Sequence, residues 1–193
     1  MESHLEEESD EILMLSFKSG EEKAFEEIVK RYKTKLFNYI YKYISDVERS
    51  EEITQEVFIR VYRSRDRYKI KAKFSTFIYR IALNLAFNEV RNRNRRKTDP
   101  HNEFDDKIFN DKIKEHNTPE KLYERKEVEI IVNQEISNLS SKYKDVILLC
   151  DIEGLSYKEV AKILNISIGT VQSRLSRGRV RLKQRLENVL NLK

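Results

Sequence analysis

The sequence predicts an all-α fold of two small helical domains joined by a flexible linker, the C-terminal one a four-helix domain with a helix-turn-helix. Three observations predict it. The 193 residues include only four Gly, two Pro and no Trp, which favours long helices over strands and turns. Apolar residues recur with the 3.6-residue helical period over most of the chain. Residues 98–119 lose this period and contain both prolines, which predicts the linker.

The N-terminal domain is expected over residues 10–97. The preceding residues 1–9 hold one Leu among acids and polar groups, and this composition predicts disorder. Amphipathic patterns and caps then predict four helices, over Asp10–Ser19, over Glu21–Ile44, from Asp46 or Ser50 to about Arg65, and over Phe74–Arg95. Between the last two helices, Asp66–Lys73 is a basic loop.

The C-terminal domain is expected over residues 120–193. Its first two helices are predicted over Glu120–Leu139 and Lys142–Cys150. Cys150 is the only cysteine, so an internal disulfide is excluded and a reducing cytoplasm is favoured. We interpret Cys150 as a small core residue.

The last two helices form the helix-turn-helix pattern. Ser156 and Glu159 have the spacing of a capping box, which begins a helix. Asn165-Ile166-Ser167 interrupts the pattern, because Asn tolerates the left-handed conformation and Ser caps the next helix. The second helix combines apolar Val171 and Leu175 with many basic residues, as in DNA-docking helices. A helical hairpin with a solvated basic face is the alternative.

The net charge of +5 hides an alternation along the chain. Residues 1–59 carry a net −7, residues 60–97 a net +11, residues 98–154 a net −6 and residues 155–185 a net +7. Two basic blocks separated by an acidic one predict two separate contacts with a polyanion.

The first basic block interleaves cations with aromatic residues, which is typical of surfaces that hold unpaired bases by stacking. Several of these aromatics must lie in the core instead. The cationic last turns of its helix, from Arg91, suit both a helix C-terminus and a phosphate backbone. The acids at the start of the preceding helix favour the helix dipole, and they also suit an acidic docking surface. The spacing leaves both readings open.

Motifs for catalysis, metals and cofactors are absent from the sequence. It has no Walker loop, G-x-G-x-x-G, C-x-x-C or H-E-x-x-H, and His4, His101 and His116 fall in the segments predicted to be disordered or linker. We therefore expect no enzyme activity, no metal and no cofactor. No apolar run approaches the roughly 18 residues of a membrane span, so membrane insertion is not expected.

Three stretches in this order resemble the bacterial RNA polymerase sigma factors of the extracytoplasmic-function group, over roughly residues 10–190. Residues 46–63 (DVERSEEITQEVFIRVYR) resemble the polymerase-binding helix of region 2. Residues 74–96 (FSTFIYRIALNLAFNEVRNRNRR) resemble its promoter-melting helix, and residues 154–185 resemble the helix-turn-helix of region 4. The resemblance implies that residues 10–97 are region 2 and residues 120–193 region 4.

The resemblance implies three sets of site residues. Those that bind or support binding to the coiled-coil of the polymerase β′ subunit are Asp46, Glu52, Gln55, Glu56 and Phe58. Those near the melted minus-10 element are Tyr68, Lys71 and Lys73 in the basic loop and Arg80, Asn84 and Asn88 on the helix. Those at the minus-35 element are Thr170, Gln172, Ser173, Arg174, Ser176 and Arg177. Core polymerase (with the β flap), promoter DNA and an anti-sigma factor are the implied partners.

This sequence departs from the family pattern at three positions. Phe77 stands where Trp is usual, a modest change for a core aromatic. Gln172 stands where Arg is frequent and Ser176 where a bulky residue is frequent. Because Arg reads guanine and Gln prefers adenine, we expect a shifted minus-35 preference. A stand-alone helix-turn-helix regulator is the alternative function, and an RNA-binding or nucleic-acid-processing enzyme is disfavoured by the missing catalytic residues.

Overall fold

The computed structural model describes residues 2–97, 128 and 130–190, and the regular elements of this part of the chain are helices, as predicted. The N-terminal unit contains α1 (Glu2–Glu7), α2 (Asp10–Lys18), α3 (Glu22–Ile44), α4 (Val47–Arg63), a 3₁₀ turn (Arg65–Arg67) and α5 (Phe74–Lys97). The C-terminal unit contains α6 (residues 130–137), α7 (Ser141–Ile147), a π-helical turn (Leu148–Ile152), α8 (Tyr157–Leu164) and α9 (Ile168–Leu190). The predicted linker, with His101 and His116, lies outside the described residues.

Residues 2–9 are not disordered as predicted, because Glu2–Glu7 form α1, which contacts α3. The guanidinium of Arg31 donates hydrogen bonds to the carbonyl oxygens of Leu5 at 2.9 Å, Glu6 at 2.7 Å and Glu8 at 2.7 Å. Carbonyls at a helix C-terminus have no partner within the helix, and a cation there also stabilises the helix dipole. Composition alone misses this long-range contact.

The N-terminal core lies between α2, α3, α4 and α5. Its largest fully buried side chains include Phe17, Tyr39, Phe74 and Ile78. α4 begins at Asp46, whose carboxylate accepts from the Arg49 amide at 3.0 Å, which confirms Asp46 as the cap. The position of α5 is fixed by its buried face and by the Glu11 carboxylate, which accepts a hydrogen bond from the amide of Phe74.

The C-terminal core is smaller and lies between α7, α8 and α9. Buried Val146, Ile147, Val160 and Leu175 pack at its centre. Cys150, in the π-helical turn, is half-buried and packs against this core, and burial raises the pKa of its thiol to about 11.

The two units pack against each other through α5 and α8. Ser75 Oγ donates to Glu159 Oε1 at 2.8 Å, and the Tyr79 hydroxyl donates to the Glu153 carboxylate. Ser137 Oγ also donates to the carbonyl of Lys42 at 3.3 Å. These contacts fix the arrangement of the two units, which sequence periodicity does not predict. Within the described residues no helix is long and apolar enough to cross a bilayer.

Candidate nucleic-acid interface

The helix-turn-helix has the caps that the sequence predicts. Ser156 Oγ accepts from the amide of Glu159 at 3.4 Å, and the Glu159 carboxylate accepts from the amide of Ser156 at 3.0 Å. Together these bonds form the capping box of α8. Asn165 ends α8 with a φ of 54°, and Ser167 Oγ accepts from the amide of Thr170 at 3.0 Å where α9 begins.

The N-terminal half of α9 has an exposed face of hydrogen-bonding side chains. Its exposed members are Gln172, Ser173, Ser176 and Arg177. Amide, hydroxyl and guanidinium groups at this place in a helix-turn-helix are those that contact base edges and phosphates in the major groove. The structure thus brings four of the six predicted minus-35 residues onto one accessible surface.

Thr170 and Arg174, the other two predicted minus-35 residues, lie at the border of this face and are half-buried. The Thr170 hydroxyl lies 2.8 Å from Ser167 Oγ, so it also supports the turn. Arg174 lies near Asp145, a buried acid on α7. Burial raises the pKa of Asp145 to about 7, and attraction to Arg174 opposes this rise.

Other basic residues of α9 are held by partners in the C-terminal unit. Arg179 forms two hydrogen bonds with the Asp151 carboxylate, at 3.0 and 2.5 Å. Arg185 pairs with Glu135 at 2.6 Å, and the guanidinium of Arg181 lies 4.9 Å from the centre of the Tyr143 ring. Part of this basic block therefore holds α9 in place, which its charge count does not reveal.

The predicted minus-10 residues of α5 share one exposed face. Arg80, Asn84 and Asn88 are spaced four residues apart and all are exposed, so they follow one side of the helix. Lys71 and Lys73 are exposed in the preceding loop. Lys73 Nζ lies 3.7 Å from a carboxylate oxygen of Glu159 on α8, so this cation faces the C-terminal unit.

Tyr68 is a correction to the predicted minus-10 set. Its ring is only 7% exposed and packs against Phe74 and Phe77, at centroid distances of 6.2 and 5.7 Å. Burial raises the pKa of its hydroxyl to about 12. The ring therefore contacts protein aromatics and is not available to stack on a base. In the same loop, Ile70 exposes its apolar side chain, at 53%.

The predicted polymerase-binding residues of α4 are of two kinds, polar side chains on its acidic face and one aromatic side chain that packs inward. Glu52 and Gln55 are exposed, and half-buried Glu56 accepts from Arg60 Nε at 2.8 Å. Phe58 is half-buried and packs edge-to-face on Phe25, at 6.4 Å between centroids. Phe58 thus supports the face from within.

Asp46, the remaining acid of this set, is bound by the protein itself. Its carboxylate accepts from Arg93 Nη2 at 2.7 Å. The hydrogen bond from the Arg49 amide holds its pKa below the usual range, although burial opposes this, and Arg93 lowers it further. Arg93 lies in the cationic last turns of α5, whose composition also favoured contact with a phosphate backbone. In the sequence, only the four-residue spacing between Glu89 and Arg93 indicates that Arg93 points inward.

Among the side chains that the structure describes, no three His, Cys, Asp or Glu lie close enough together to hold a metal ion. The C-terminal unit contains a helix-turn-helix with an exposed polar face, and the N-terminal unit has an exposed basic helix of its own. Together these features are typical of two-domain DNA-binding proteins. Residues 28–96 match the family model for Sigma-70 region 2, and residues 130–182 match that for Sigma-70 region 4.

Similar curated proteins extend over nearly the whole chain. The ECF RNA polymerase sigma factor SigW of Bacillus subtilis is 35% identical over 180 residues, covering 89% of this chain and 94% of the relative. The RNA polymerase sigma-H factor of Pseudomonas aeruginosa is 31% identical over 189 residues, covering 96% and 98%. The chain therefore belongs to the sigma-70 family, in its extracytoplasmic-function group. It is a sigma factor, which binds core RNA polymerase and directs promoter-specific initiation of transcription.

Solved structures confirm the fold. CnrH, in complex with the cytosolic domain of CnrY, aligns with a TM-score of 0.71 at 22% identity, covering 94% of this chain and 99% of that one. The sigma factor RpoE from Bartonella quintana, in complex with the anti-sigma factor NepR, aligns with a TM-score of 0.66 at 22% identity, covering 86% and 98%.

Proposed function

We propose that this sigma factor divides its work among three helices: α4 binds polymerase, α5 and its preceding loop hold the melted minus-10 element, and α9 reads the minus-35 element. One observation carries the assignment. The acidic face of α4, the Arg80–Asn84–Asn88 face of α5 and the polar face of α9 are all exposed on separate helices. One chain therefore has room for all three contacts.

On α4, exposed Glu52 and Gln55 with Glu56 form the contact surface for the coiled-coil of the β′ subunit. Phe58 and Asp46 hold this surface in place, because both contact other helices of the N-terminal unit. The C-terminal unit contacts the β flap, as in the family. Charged rims of this kind affect association rate and partner choice more than total affinity.

At the minus-10 element, binding offsets the cost of opening base pairs. Stacking of a base on an aromatic side chain would contribute about 1–3 kcal/mol, but Tyr68 is buried, so apolar, polar and charged side chains have to supply this binding. With Tyr68 buried, the exposed loop residues Ile70, Lys71 and Lys73 and the face of α5 remain for this contact. The chain supplies binding and position, whereas the polymerase supplies the chemistry. We accordingly assign the chain no enzyme activity, and we place its action in the cytoplasm with the polymerase.

An anti-sigma partner is also part of the proposal. The two aligned structures contain CnrH with the cytosolic domain of CnrY and the sigma factor RpoE with the anti-sigma factor NepR. Recovery of a protein that binds this chain and blocks its transcription in a purified system would support the assignment. Failure to recover such an inhibitor from the source cells under any growth condition would contradict it.

Reconstituted transcription tests the assignment of the three helices. With core polymerase, we expect Glu52→Lys to weaken polymerase binding, Asn84→Ala with Asn88→Ala to slow promoter opening, and Arg177→Ala to weaken duplex binding. Glu26→Lys, at an exposed position of α3, makes the same charge change as Glu52→Lys away from these faces. DNA binding and repression by the chain without polymerase, and no initiation with it, would instead support a stand-alone regulator.

A further inference from the structure

A network of three acids and two arginines joins the start of α4 to the C-terminal half of α5. It lines an open cleft of about 330 Å³, with Glu48 at its edge. The members of the network, in order of contact, are Glu52, Arg49, Glu89, Arg93 and Asp46. Glu52 and Asp46, two acids of the proposed polymerase-binding surface, lie at the two ends of the network.

Glu89 is the centre of this network. Its side chain is buried, at 8% exposure. Oε2 accepts from Arg49 Nη2 at 2.8 Å, and Oε1 accepts from Arg93 Nε at 3.1 Å. Burial alone would raise the pKa of this carboxyl group, but the bonds from Arg49 and Arg93 outweigh it and hold the pKa below the usual range. Glu89 is therefore ionised at neutral pH.

Arg93 connects Glu89 to the junction between α3 and α4. Its Nη1 donates to the carbonyl of Ile44, the last residue of α3, at 3.2 Å, and its Nη2 donates to Asp46 at 2.7 Å. Asp46 also caps α4 through the Arg49 amide. One planar guanidinium thus holds the end of one helix, the cap of the next and an acid of a third, a geometry that Lys cannot reproduce.

On α5, Glu89 follows directly after Asn88 in the sequence. Successive residues of a helix point about 100° apart, so a fixed Glu89 sets the direction of Asn88 and, one turn earlier, of Asn84. The same acid therefore restrains both the cap of the polymerase-facing helix and the DNA-facing side of α5.

We propose that Glu89 is a positioning residue that links polymerase binding to promoter opening, by holding α4 and α5 at a fixed relative angle through Arg49 and Arg93. The inference rests on the proposed functions of α4 and α5. Glu89 contacts neither polymerase nor DNA in this role. It acts through Asp46 and Glu52 on one side and through Asn84 and Asn88 on the other.

Glu89→Gln in the full chain tests the link, because Gln keeps the shape but loses the charge. Initiation with core polymerase is measured on a duplex promoter and on the same promoter with a pre-melted minus-10 segment, at a temperature where circular dichroism shows the variant folded. We expect about a tenfold slower initiation on the duplex, the change that loss of one charge-assisted hydrogen bond corresponds to. On the pre-melted promoter, where opening is bypassed, we expect most of the loss to disappear. Glu26→Gln, an exposed charge-matched control on α3, leaves both rates unchanged.

Arg93→Lys is the second variant, and it covers the case in which Glu89→Gln does not fold. Lys keeps the positive charge but lacks the three-way contact. A loss confined to the duplex promoter supports positioning, whereas wild-type rates on both promoters would mean that Arg93 serves only as a cation near phosphate. Equal losses on both promoters, or no loss in either variant, overturn the link. If the wild-type chain itself fails to initiate with polymerase, the proposed function fails instead, and the two failures remain distinct.

Discussion

α5 and α9 are both long helices in basic parts of the chain, with 24 and 23 residues, but the protein holds them differently. α5 passes through the larger core and contacts α2, α3, α4 and, across the interface, α8. α9 rests on α7 and α8. Its buried residues, Val171, Leu175 and Gly178, form a narrow stripe.

Because of this difference, DNA specificity and fold stability should depend on separate residues in α9 and on the same turns in α5. On α9 the exposed residues proposed to read DNA have few buried neighbours, so this face can change without repacking a core. On α5 almost every turn that presents Arg80, Asn84 or Asn88 also buries a side chain or joins the Glu89 network. Substitutions on α5 should therefore affect the fold and DNA binding together.

The largest expected effect is on the buried side of α5. Phe74→Ala should lower the free energy of unfolding by about 3–5 kcal/mol, because the ring is fully buried and packs against Tyr32 at 5.5 Å between centroids. Phe87→Ala, on the same helix but 38% exposed, should cost about 1 kcal/mol through its contact with Tyr43. Urea unfolding of both variants measures the difference. Equal losses would contradict the central position of α5.

The next effect concerns Asp145, the buried acid on α7 that lies near Arg174 of α9. The raised pKa of Asp145, about 7, means that the folded state holds this proton more tightly than the unfolded chain does. Its contribution to stability is complete below the unfolded pKa near 4, and it is lost as the pH rises to about 7. Asp145→Asn cannot ionise, so the variant should be more stable than the wild type at pH 8, by up to about 4 kcal/mol, with little difference near pH 4.

Unfolding of wild type and Asp145→Asn from pH 4 to pH 8 measures this change. The charged neighbour that faces Asp145 is Arg174, which favours ionisation, and the tyrosine that interacts with it is Tyr39 in the other unit. A constant difference between the two proteins over this pH range would show that Asp145 is not the titrating group.

A smaller loss is expected where α9 crosses α7. A Cβ at Gly178 would lie 3.0 Å from Ile147 Cδ1 and 3.4 Å from Tyr143 Cβ, so Gly178→Leu overpacks the crossing and should cost about 1–3 kcal/mol. Gly169→Ala, on the same helix, meets only Ser167 Oγ at 3.9 Å. That variant should gain up to about 1 kcal/mol from helix propensity. Thermal unfolding of both variants measures these changes. If the crossing of α7 and α9 is loosely packed, Gly178→Leu will be as stable as the wild type.

The sequence predicts the local parts of this molecule well. The capping box of Ser156 and Glu159, the left-handed Asn165 and the Asp46 cap are each made by residues close in the chain. Helical periodicity likewise places Ile28, Leu36 and Ile40 of α3 in the core. These features depend on spacing, so a single sequence contains them.

The features that the sequence misses depend on distant partners. Composition predicts disorder before α2, but Arg31 on α3 binds the end of α1. The resemblance places Tyr68 near the melted minus-10 element, but Phe74 and Phe77 cover its ring. Arg93 looks like one cation among several, but two of its three acceptors, the Ile44 carbonyl and the Asp46 carboxylate, are about 50 residues earlier in the chain. Periodicity shows which face of a helix is buried and leaves open which element covers it.

The smallest expected effect on stability is on the reading face of α9, where Gln172→Arg should change only specificity. Gln172 is exposed, so the free energy of unfolding should stay within about 0.5 kcal/mol of the wild-type value. Because Gln pairs with adenine and Arg with guanine, one minus-35 position should shift its preference by about 1–3 kcal/mol. Selection of minus-35 sequences by the chain bound to core polymerase measures this shift. Gln184→Arg makes the same change near the end of α9 and should shift nothing, whereas an unchanged preference at every position with Gln172→Arg would remove Gln172 from the reading face.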